Sequence, residues 1–403
     1  MPMRAIGRGM KNKKHACPWV SVDELTPESL WDEYISQRRP IVIRGHPSEI
    51  SSGTRTWTNE YLKDVAGKRF VSVEYKTNES EGFGLGKRRV MAFSEFLLRI
   101  EQGQENLYLT SPQQPRGPHG FPDVMVSPTL DLLKDFPVRL SLAGNLIPQQ
   151  INLWMGNSKD GSSSGLHHDY HDNFYILLRG KKRFRLFPPH CIHTMYTHGE
   201  LVSMHPNGRI VYKGQENILP DGSNADDVRQ WKEGAQELAS RSAECSSVDP
   251  PASSSSGDPP SFSQVDLRLP ESEIMRKFKN FPFDECIECT LCAGEMLFLP
   301  AGWFHEVTSM NDAVASDRDD KPGHMALNYW LYPPDNLRAG GKGFRRPYMQ
   351  EYWEDMWKSG KIRLGAPLSH NSVPSRKRKS KRKRISTLVT RFGRQWKWYY
   401  FRH

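Results

Sequence analysis

The 403-residue sequence has few cysteines and no long apolar run. Six cysteines are too few for a disulfide scaffold in a chain of this length, so we expect them to be reduced. No segment approaches the roughly 18 apolar residues that a membrane-spanning helix needs. The basic segment 1–17 lacks the apolar stretch of a secretory signal, so we expect a disordered start, with organellar targeting as the weaker alternative. These absences predict an intracellular protein without a membrane partner.

Positive charge is concentrated near the C-terminus. The net charge is +10, from 56 Lys and Arg against 46 Asp and Glu. The run 376–384, RKRKSKRKR, contains no acidic residue, and its eight basic residues leave only +2 for the rest of the chain. Such a run is typical of a nuclear localisation signal that binds importin, of a contact with nucleic-acid phosphates, or of a solvated segment. We expect the protein in the nucleus and also in the cytoplasm.

Segment 18–335 is predicted to form a mainly β domain with an α/β lead-in and flanking helices. After residue 106, short segments rich in aromatic and β-branched residues recur between Gly, Pro, Asn and Asp. This pattern favours an antiparallel barrel or jelly roll. The predicted strands are NLYLT, INLWMG, FYILLRG, KRFRLFPP, ECTLCAGEMLFLPAG, FHEVTS and HMALNYWLY.

Two further segments are predicted outside the barrel strands. Between residues 246 and 263, Ser and Pro fill twelve of eighteen positions, so we expect a largely disordered insertion over about 215–265. A short helix is predicted near DDVRQWKEGAQELA within it. Segment 336–403 is predicted to hold the helix MQEYWEDMWKSG, which is a candidate homodimer interface, followed by the basic tail.

Three side chains form a candidate metal site. Residues two apart on a strand point to the same face, so His167 and Asp169 can both point into a barrel while His168 points away. His305 follows a strand flanked by Gly and Pro in AGEMLFLPAGWFHEVTS. Two imidazoles and one carboxylate leave coordination positions open, which suits a non-haem Fe(II) that binds a cosubstrate and O₂. The ligand types therefore predict an oxygenase.

A cosubstrate with a distal carboxylate needs a cation. Lys182 is placed on the strand that follows the ligands, where its ammonium can face the barrel interior. A hydroxyl from Ser164 or Tyr108 would add a charge-assisted hydrogen bond. Asn173 and Asn328 are further polar candidates on neighbouring strands.

Two other metal sites compete with this one. His167 and His171 have the spacing of a zinc pair on a helix, but Gly165 and the β-rich FYILL that follows argue against a helix. The C-x₂-C-x₂-C segment at 286–292 suggests zinc with Cys191 or His193 as the fourth ligand. On a strand, however, its middle cysteine points away from the other two, which favours buried thiols acting as small hydrophobes.

The segments LHHDYHDNFYILLRGKKRFRLFPP, AGEMLFLPAGWFHEVTS and HMALNYWLYPPD closely resemble Jumonji C (JmjC) domain proteins, particularly the small JmjC-only group. The resemblance covers about residues 18–335 and implies a double-stranded β-helix, or cupin-like barrel. It implies that His167, Asp169 and His305 bind Fe(II) and that Lys182 binds the C5 carboxylate of 2-oxoglutarate. Ser164, Tyr108, Asn173 and Asn328 match positions where such proteins often place further cosubstrate contacts.

The resemblance also implies an activity. We expect a dioxygenase that hydroxylates a protein side chain while 2-oxoglutarate is decarboxylated to succinate. The expected partner is a peptide or a histone tail, since demethylation of histone lysine by N-methyl hydroxylation is an alternative. Two further alternatives are a non-catalytic cupin-like scaffold and a zinc or manganese enzyme that ignores 2-oxoglutarate.

Overall fold

The computed structural model describes residues 16–76, 87–110, 114–158, 161–238, 259–311, 323–338 and 340–365. The basic run 376–384 and nearly all of segment 1–17 lie outside these residues. Among the helices that the structure describes, none combines the length and the apolar character needed to cross a membrane.

Short strands rich in aromatic and β-branched residues form most of the domain, as the sequence predicts. Each of the strands predicted after residue 106 is present, and FVSVEY and IVIR of the lead-in are strands too. In chain order the strands are β1 Trp19–Ser21, β2 Ile41–Arg44, β3 Phe70–Tyr75, β4 Lys87–Ala92, β5 Leu107–Leu109, β6 Pro148–Gly156, β7 Ser162–Ser163, β8 His167–His168, β9 Asp172–Arg179, β10 Lys181–Phe187, β11 Leu201–Met204, β12 Ile210–Tyr212, β13 Ile287–Cys292, β14 Glu295–Leu299, β15 Phe304–Met310 and β16 His324–Leu331.

Two facing sheets enclose the interior of the barrel. The larger sheet has the order β1-β2-β14-β9-β16-β6-β5-β3-β4, and the smaller has the order β13-β10-β15-β7, with β8 also paired to β15. Nearly all neighbours are antiparallel, and β1 with β2 is a parallel pair. A cluster that includes Tyr175, Phe184, Leu186, Leu297 and Ala326 fills part of the space between the sheets. This architecture confirms the predicted jelly-roll class.

Helices cover the outer face of the larger sheet. Their apolar side chains, such as Leu62, Phe96 and Trp353, join the main hydrophobic cluster with the outward residues of β9 and β16. The α-helices are α1 Pro27–Leu30, α2 Ser48–Thr54, α3 Asn59–Ala66, α4 Phe93–Glu101, α5 Ala225–Leu238, α6 Glu271–Lys277 and α7 Tyr352–Lys358, and a π-helical turn Trp31–Ile35 extends α1.

Helix α7 lies within the predicted segment MQEYWEDMWKSG. Its apolar residues Tyr352, Trp353 and Met356 are buried in the chain's own core. The Trp353 ring stacks on Tyr332 at a centroid distance of 3.5 Å. These three residues are therefore covered within one chain, and the homodimer interface stays a prediction.

The predicted disordered insertion is ordered at both of its ends. Residues 225–238 form α5, which confirms the predicted helix, and Trp231 on it donates a hydrogen bond to Asp355 at 3.2 Å. At the other end, Val265 is buried and Phe262 contacts His167. The expectation of disorder was therefore wrong for 215–238 and 259–265, and the Ser-rich part between them lies outside the described residues.

Candidate metal centre

The three predicted metal ligands converge at one end of the barrel interior. His167 on β8 is the direct cross-strand partner of His305 on β15, and their ring centroids are 4.3 Å apart. Asp169 follows β8, and its Oδ2 lies 3.8 Å from His305 Nε2. One ligand atom from each of the three residues lies within 4.8 Å of the others. The geometry therefore allows all three to bind one ion.

Backbone carbonyls hold both imidazoles in the orientation that a metal requires. The Nδ1 of His167 lies 3.0 Å from the Gly165 carbonyl, and the Nδ1 of His305 lies 3.0 Å from the Trp303 carbonyl. Because a carbonyl only accepts, each Nδ1 carries the proton and donates it to that bond. Each Nε2 then keeps a free lone pair, as in metal-binding histidines.

The carboxylate of Asp169 sits in a site that disfavours its charge. Burial raises its pKa above the usual value, while His305 and the hydrogen bonds from Trp330 and Asn173 oppose that rise. The Trp330 indole donates to Oδ2 at 3.1 Å. A cation bound between Asp169 and the imidazoles would supply the missing stabilisation, so the donor set fits a divalent metal.

Two supporting contacts were not predicted from the sequence. The ring of Phe262 stacks on His167 at a centroid distance of 4.7 Å. His168 is buried and points away from the ligands, as strand alternation predicts, and its Nε2 lies 2.9 Å from the Tyr212 hydroxyl. Phe262 and Tyr212 both lie far from β8 in the sequence. Only the aromatic character of Phe262 indicated that its segment could pack against the domain.

Lys182 lies deeper in the same interior. Its side chain is fully buried, and its Nζ donates to Ser309 Oγ at 2.5 Å and to the Tyr108 hydroxyl at 3.5 Å. Burial lowers the pKa of Lys182 to about 7. Among the described residues, no carboxylate forms an ion pair with it. A buried ammonium with only hydroxyl partners is suited to bind an anionic ligand.

The predicted cosubstrate contact of Ser164 stays a prediction, and its hydroxyl bonds to the backbone in this structure. Its hydroxyl donates to the Gly165 carbonyl at 3.0 Å and accepts from the Val307 backbone N–H at 3.0 Å, so both functions of the hydroxyl are used by backbone. Ser162 is instead the cross-strand partner of Ser309, and Ser309 is in turn the partner of Lys182. The serine at the level of the lysine is therefore Ser162.

The predicted amides Asn173 and Asn328 belong to one buried chain of hydrogen bonds. The Nδ2 of Asn328 donates to Asn173 Oδ1 at 3.0 Å, and its Oδ1 accepts from Asn152 at 3.1 Å and from the Trp154 indole at 2.8 Å. Because Asn173 also bonds to Asp169, this chain leads to the metal ligands. The two amides thus lie between the metal end and the Lys182 end of the interior.

The competing zinc sites are not assembled. His171 contacts the rings of Trp330 and Tyr332 and does not share a site with His167. Within the described residues, the three cysteines of the C-x₂-C-x₂-C segment form no metal-binding group. Cys191 lies with His190 and Glu285 instead, and burial raises the pKa of its thiol to about 12.

Comparison with known proteins agrees with this architecture. The model of the family described as "Cupin-like domain" matches residues 27–336. The chain is 29% identical to JmjC domain-containing protein 4 of Schizosaccharomyces pombe, with 89% of this chain and 92% of that protein covered. It is 30% identical to lysine-specific demethylase JMJ32 of Arabidopsis thaliana over 45% of this chain and 41% of that protein.

A human relative is named as a peptidase and hydroxylase rather than as a demethylase. The chain is 22% identical to the bifunctional peptidase and (3S)-lysyl hydroxylase JMJD7, with 76% of this chain and 81% of that protein covered. Relatives named as a hydroxylase and as a demethylase support an oxygenase class. The extent of the family match and the assembled ligand set lead to one conclusion, which is that this chain belongs to the cupin-like family of JmjC proteins.

Proposed function

We propose that this chain is an Fe(II)- and 2-oxoglutarate-dependent oxygenase that hydroxylates a side chain of a protein substrate. The observation that supports it most is the pairing of two features in one interior: the ligand set His167, Asp169 and His305, and the buried ammonium of Lys182 beyond it. A scaffold protein has no need for a buried lysine without a carboxylate partner. A zinc or manganese enzyme that ignores 2-oxoglutarate has no need for it either.

Iron and 2-oxoglutarate, when bound, supply the oxidising power: O₂ is consumed, 2-oxoglutarate loses CO₂ to become succinate, and one oxygen atom enters a substrate C–H bond. The chain's own residues bind and orient the reactants. His167 and His305 present Nε2 lone pairs, and Asp169 supplies the negative charge. Lys182 holds the distal carboxylate, so that the 2-oxo acid end is directed toward the metal.

Demethylation of histone lysine remains the second candidate. Hydroxylation of an N-methyl group releases formaldehyde, so the same site can perform it, and the relative JMJ32 is named as a lysine-specific demethylase. Coverage does not separate the two reactions, because the lysyl hydroxylase JMJD7 is matched over 76% of this chain and the lysine-specific demethylase JMJ30 over 72%. In either case the substrate would be a peptide segment or a histone tail.

Release of succinate tests the oxygenase proposal. The full chain is incubated with Fe(II), ascorbate and 2-oxoglutarate, and compared with His167→Ala. We expect succinate from the wild type only, and equal signals from the two proteins would refute the proposal. Mass spectrometry of candidate peptides then separates the two reactions, because hydroxylation adds one oxygen atom whereas demethylation replaces a methyl group with hydrogen.

The basic run 376–384 supports a further part of the proposal, which concerns location. Eight Lys and Arg side chains without an acidic neighbour suit an importin contact, and a nucleic-acid contact is the alternative. We expect a fluorescent fusion of the full chain in the nucleus. Replacing the basic residues of the run with alanine should move the fusion to the cytoplasm, and unchanged nuclear fluorescence would argue against the signal.

A further inference from the structure

The deep end of the barrel interior forms one layer of polar side chains. On β16, residues 324, 326, 328 and 330 alternate with outward residues, so His324 shares the inward face with Asn328 and Trp330. His324 pairs across the sheet with Gly156, and Gly156 pairs with Tyr108. The rings of His324 and Tyr108 lie 5.6 Å apart. Tyr108 is also a hydrogen-bond partner of Lys182, so His324 belongs to the layer of the lysine.

His324 is buried in this layer without a hydrogen bond to any residue that the structure describes. Only 2% of its surface is exposed, and both Nδ1 and Nε2 lack a partner among those residues. Burial, together with the charges of Lys182 and Arg179, lowers its pKa well below the usual value, so the ring is neutral. A neutral imidazole has one N–H donor and one acceptor nitrogen. Leaving both unpaired inside a protein is costly, which indicates a partner other than the described residues.

A second side chain in the layer has the same property. Ser162 Oγ is buried and has no hydrogen-bond partner. Strand register places Ser162 beside Ser309, the serine that accepts from Lys182. Two polar side chains on opposite sheets, both without a partner among the described residues, therefore belong to the layer of an ammonium that bonds only to hydroxyl groups there.

Gly156 keeps space open for the ring of His324. A Cβ at this position would lie 2.8 Å from the Tyr108 ring and 2.9 Å from the His324 ring. Any other residue would push the two rings out of the layer. The sequence thus leaves room at Gly156 for an imidazole that makes no bond within the protein.

We infer that His324 and Ser162 are binding residues for the distal carboxylate of 2-oxoglutarate, to which they donate hydrogen bonds beside the ammonium of Lys182. A carboxylate only accepts, so it matches a set made of one ammonium, hydroxyl groups and one imidazole N–H. The same set discriminates against a 2-oxo acid with an apolar end, because that ligand would leave the donors unpaired. This inference rests on the proposed use of 2-oxoglutarate.

Binding of two ligands to the manganese-loaded full chain tests the inference without turnover. The ligands are 2-oxoglutarate and 2-oxopentanoate, which has the same chain length but no distal carboxylate. Dissociation constants are measured by calorimetry for the wild type, His324→Phe and Ser162→Ala. We expect each substitution to weaken 2-oxoglutarate binding by about 10-fold, the usual effect of losing a hydrogen bond to a charged group. Binding of 2-oxopentanoate should change less than about 3-fold, since the bond is absent from that complex.

Two further variants separate contact from packing. His324→Gln keeps an N–H donor at similar reach and should restore most of the affinity for 2-oxoglutarate. His46→Phe is a matched control, because His46 also has a buried Nε2 without a partner but lies near Glu295 rather than in this layer. It should leave binding unchanged. Thermal melting of each variant verifies folding, and if His324→Phe does not fold, His324→Gln and Ser162→Ala still decide the result.

The outcomes distinguish two kinds of failure. If the wild type does not bind 2-oxoglutarate, the proposed function fails. If the wild type binds it but the His324 and Ser162 variants bind it equally well, the inference fails and water occupies the unpaired groups. Equal weakening of both ligands would also overturn the inference, because it would mean that His324 only shapes the cavity.

Discussion

The metal end and the Lys182 end of the barrel interior differ in how their polar groups are held. At the metal end, carbonyls orient both imidazoles, and Trp330 donates to the carboxylate of Asp169. At the other end, within the described part of the chain, Lys182 has only hydroxyl partners and His324 has none. The metal end is therefore organised by the protein before an ion binds. We propose that the Lys182 end gains its full set of partners only from a ligand.

Removing the carboxylate at the metal end should have the largest effect. Asp169→Ala deletes one of three metal ligands, so we expect succinate release to fall by more than the roughly 100-fold that loss of a ligand's hydrogen-bond partner costs. The metal-free protein should melt at the same temperature or higher, since burial disfavours this charge. A succinate assay and thermal melting of the metal-free protein measure the two effects.

A neighbouring carboxylate provides the control for that experiment. Asp172 is fully buried and forms an ion pair with Arg38 and a bond to the Ala301 N–H. Asp172→Ala should lower stability by about 3–5 kcal/mol, because it leaves a buried guanidinium without its partner. If Asp169→Ala proved as destabilising as Asp172→Ala, the contrast between a ligand and a structural carboxylate would be lost.

Loss of charge at the other end should have the next largest effect. Lys182→Met keeps most of the side-chain volume but removes the ammonium, so we expect 2-oxoglutarate affinity to fall by about 100-fold while Mn²⁺ affinity stays unchanged. The ligand-free protein should melt at a higher temperature, because a buried cation without a carboxylate partner is removed. Lys181→Met, on the opposite face of β10, should leave 2-oxoglutarate affinity unchanged. Reduced Mn²⁺ affinity in Lys182→Met would show that the two ends are not independent.

Removing the indole that supports the metal ligand should have a smaller effect. Trp330→Phe deletes the donor to Asp169 Oδ2, and we expect Mn²⁺ affinity to fall by about 10-fold. The affinity of the metal-loaded protein for 2-oxoglutarate should not change. Trp303→Phe is the matched control, because that indole donates to the Arg38 carbonyl and not to a ligand. Both variants are titrated with Mn²⁺. Equal losses of Mn²⁺ affinity would contradict a specific role of the Trp330 indole in supporting Asp169.

The strand-borne part of the metal site could be predicted from the sequence because it depends on local rules. Alternation along a strand brings His167 and Asp169 to one face, and it correctly turns His168 away. The same rule places Lys182 inward on β10, where it is buried. The orientation of these side chains could be predicted without knowing which distant strands lie beside them. His305 could be identified because it follows a strand that is flanked by Gly and Pro.

Contacts between distant segments could not be predicted in this way. The choice between Ser162 and Ser164 depends on the register of β7 against β15, which the sequence does not reveal. His324 has no signal in the sequence, because its lack of partners is a property of the assembled layer. Phe262 was assigned to a disordered insertion because Ser and Pro dominate the average composition around it. One aromatic ring nevertheless anchors that segment on His167.

The pH dependence of cosubstrate binding should be the mildest difference between the two ends. Burial lowers the pKa of Lys182 to about 7, so above pH 7 the ligand-free side chain is mostly neutral. The distal carboxylate stabilises the ammonium and raises that pKa in the complex. Binding therefore takes up a proton above pH 7, and affinity should fall by less than 10-fold per pH unit as pH rises from 7 to 9.

His324 and Tyr108, which share the layer of Lys182, do not titrate between pH 7 and 9. Proton uptake in this range can therefore be assigned to Lys182. The pKa of His324 lies well below its usual value and that of Tyr108 lies above its usual value, so both stay neutral between pH 7 and 9. Calorimetry of the manganese-loaded protein in two buffers of different ionisation enthalpy gives the number of protons taken up. Lys182→Arg keeps a permanent charge and should abolish the uptake. Uptake that persists in Lys182→Arg would assign the proton to another group and remove the predicted contrast between the two ends.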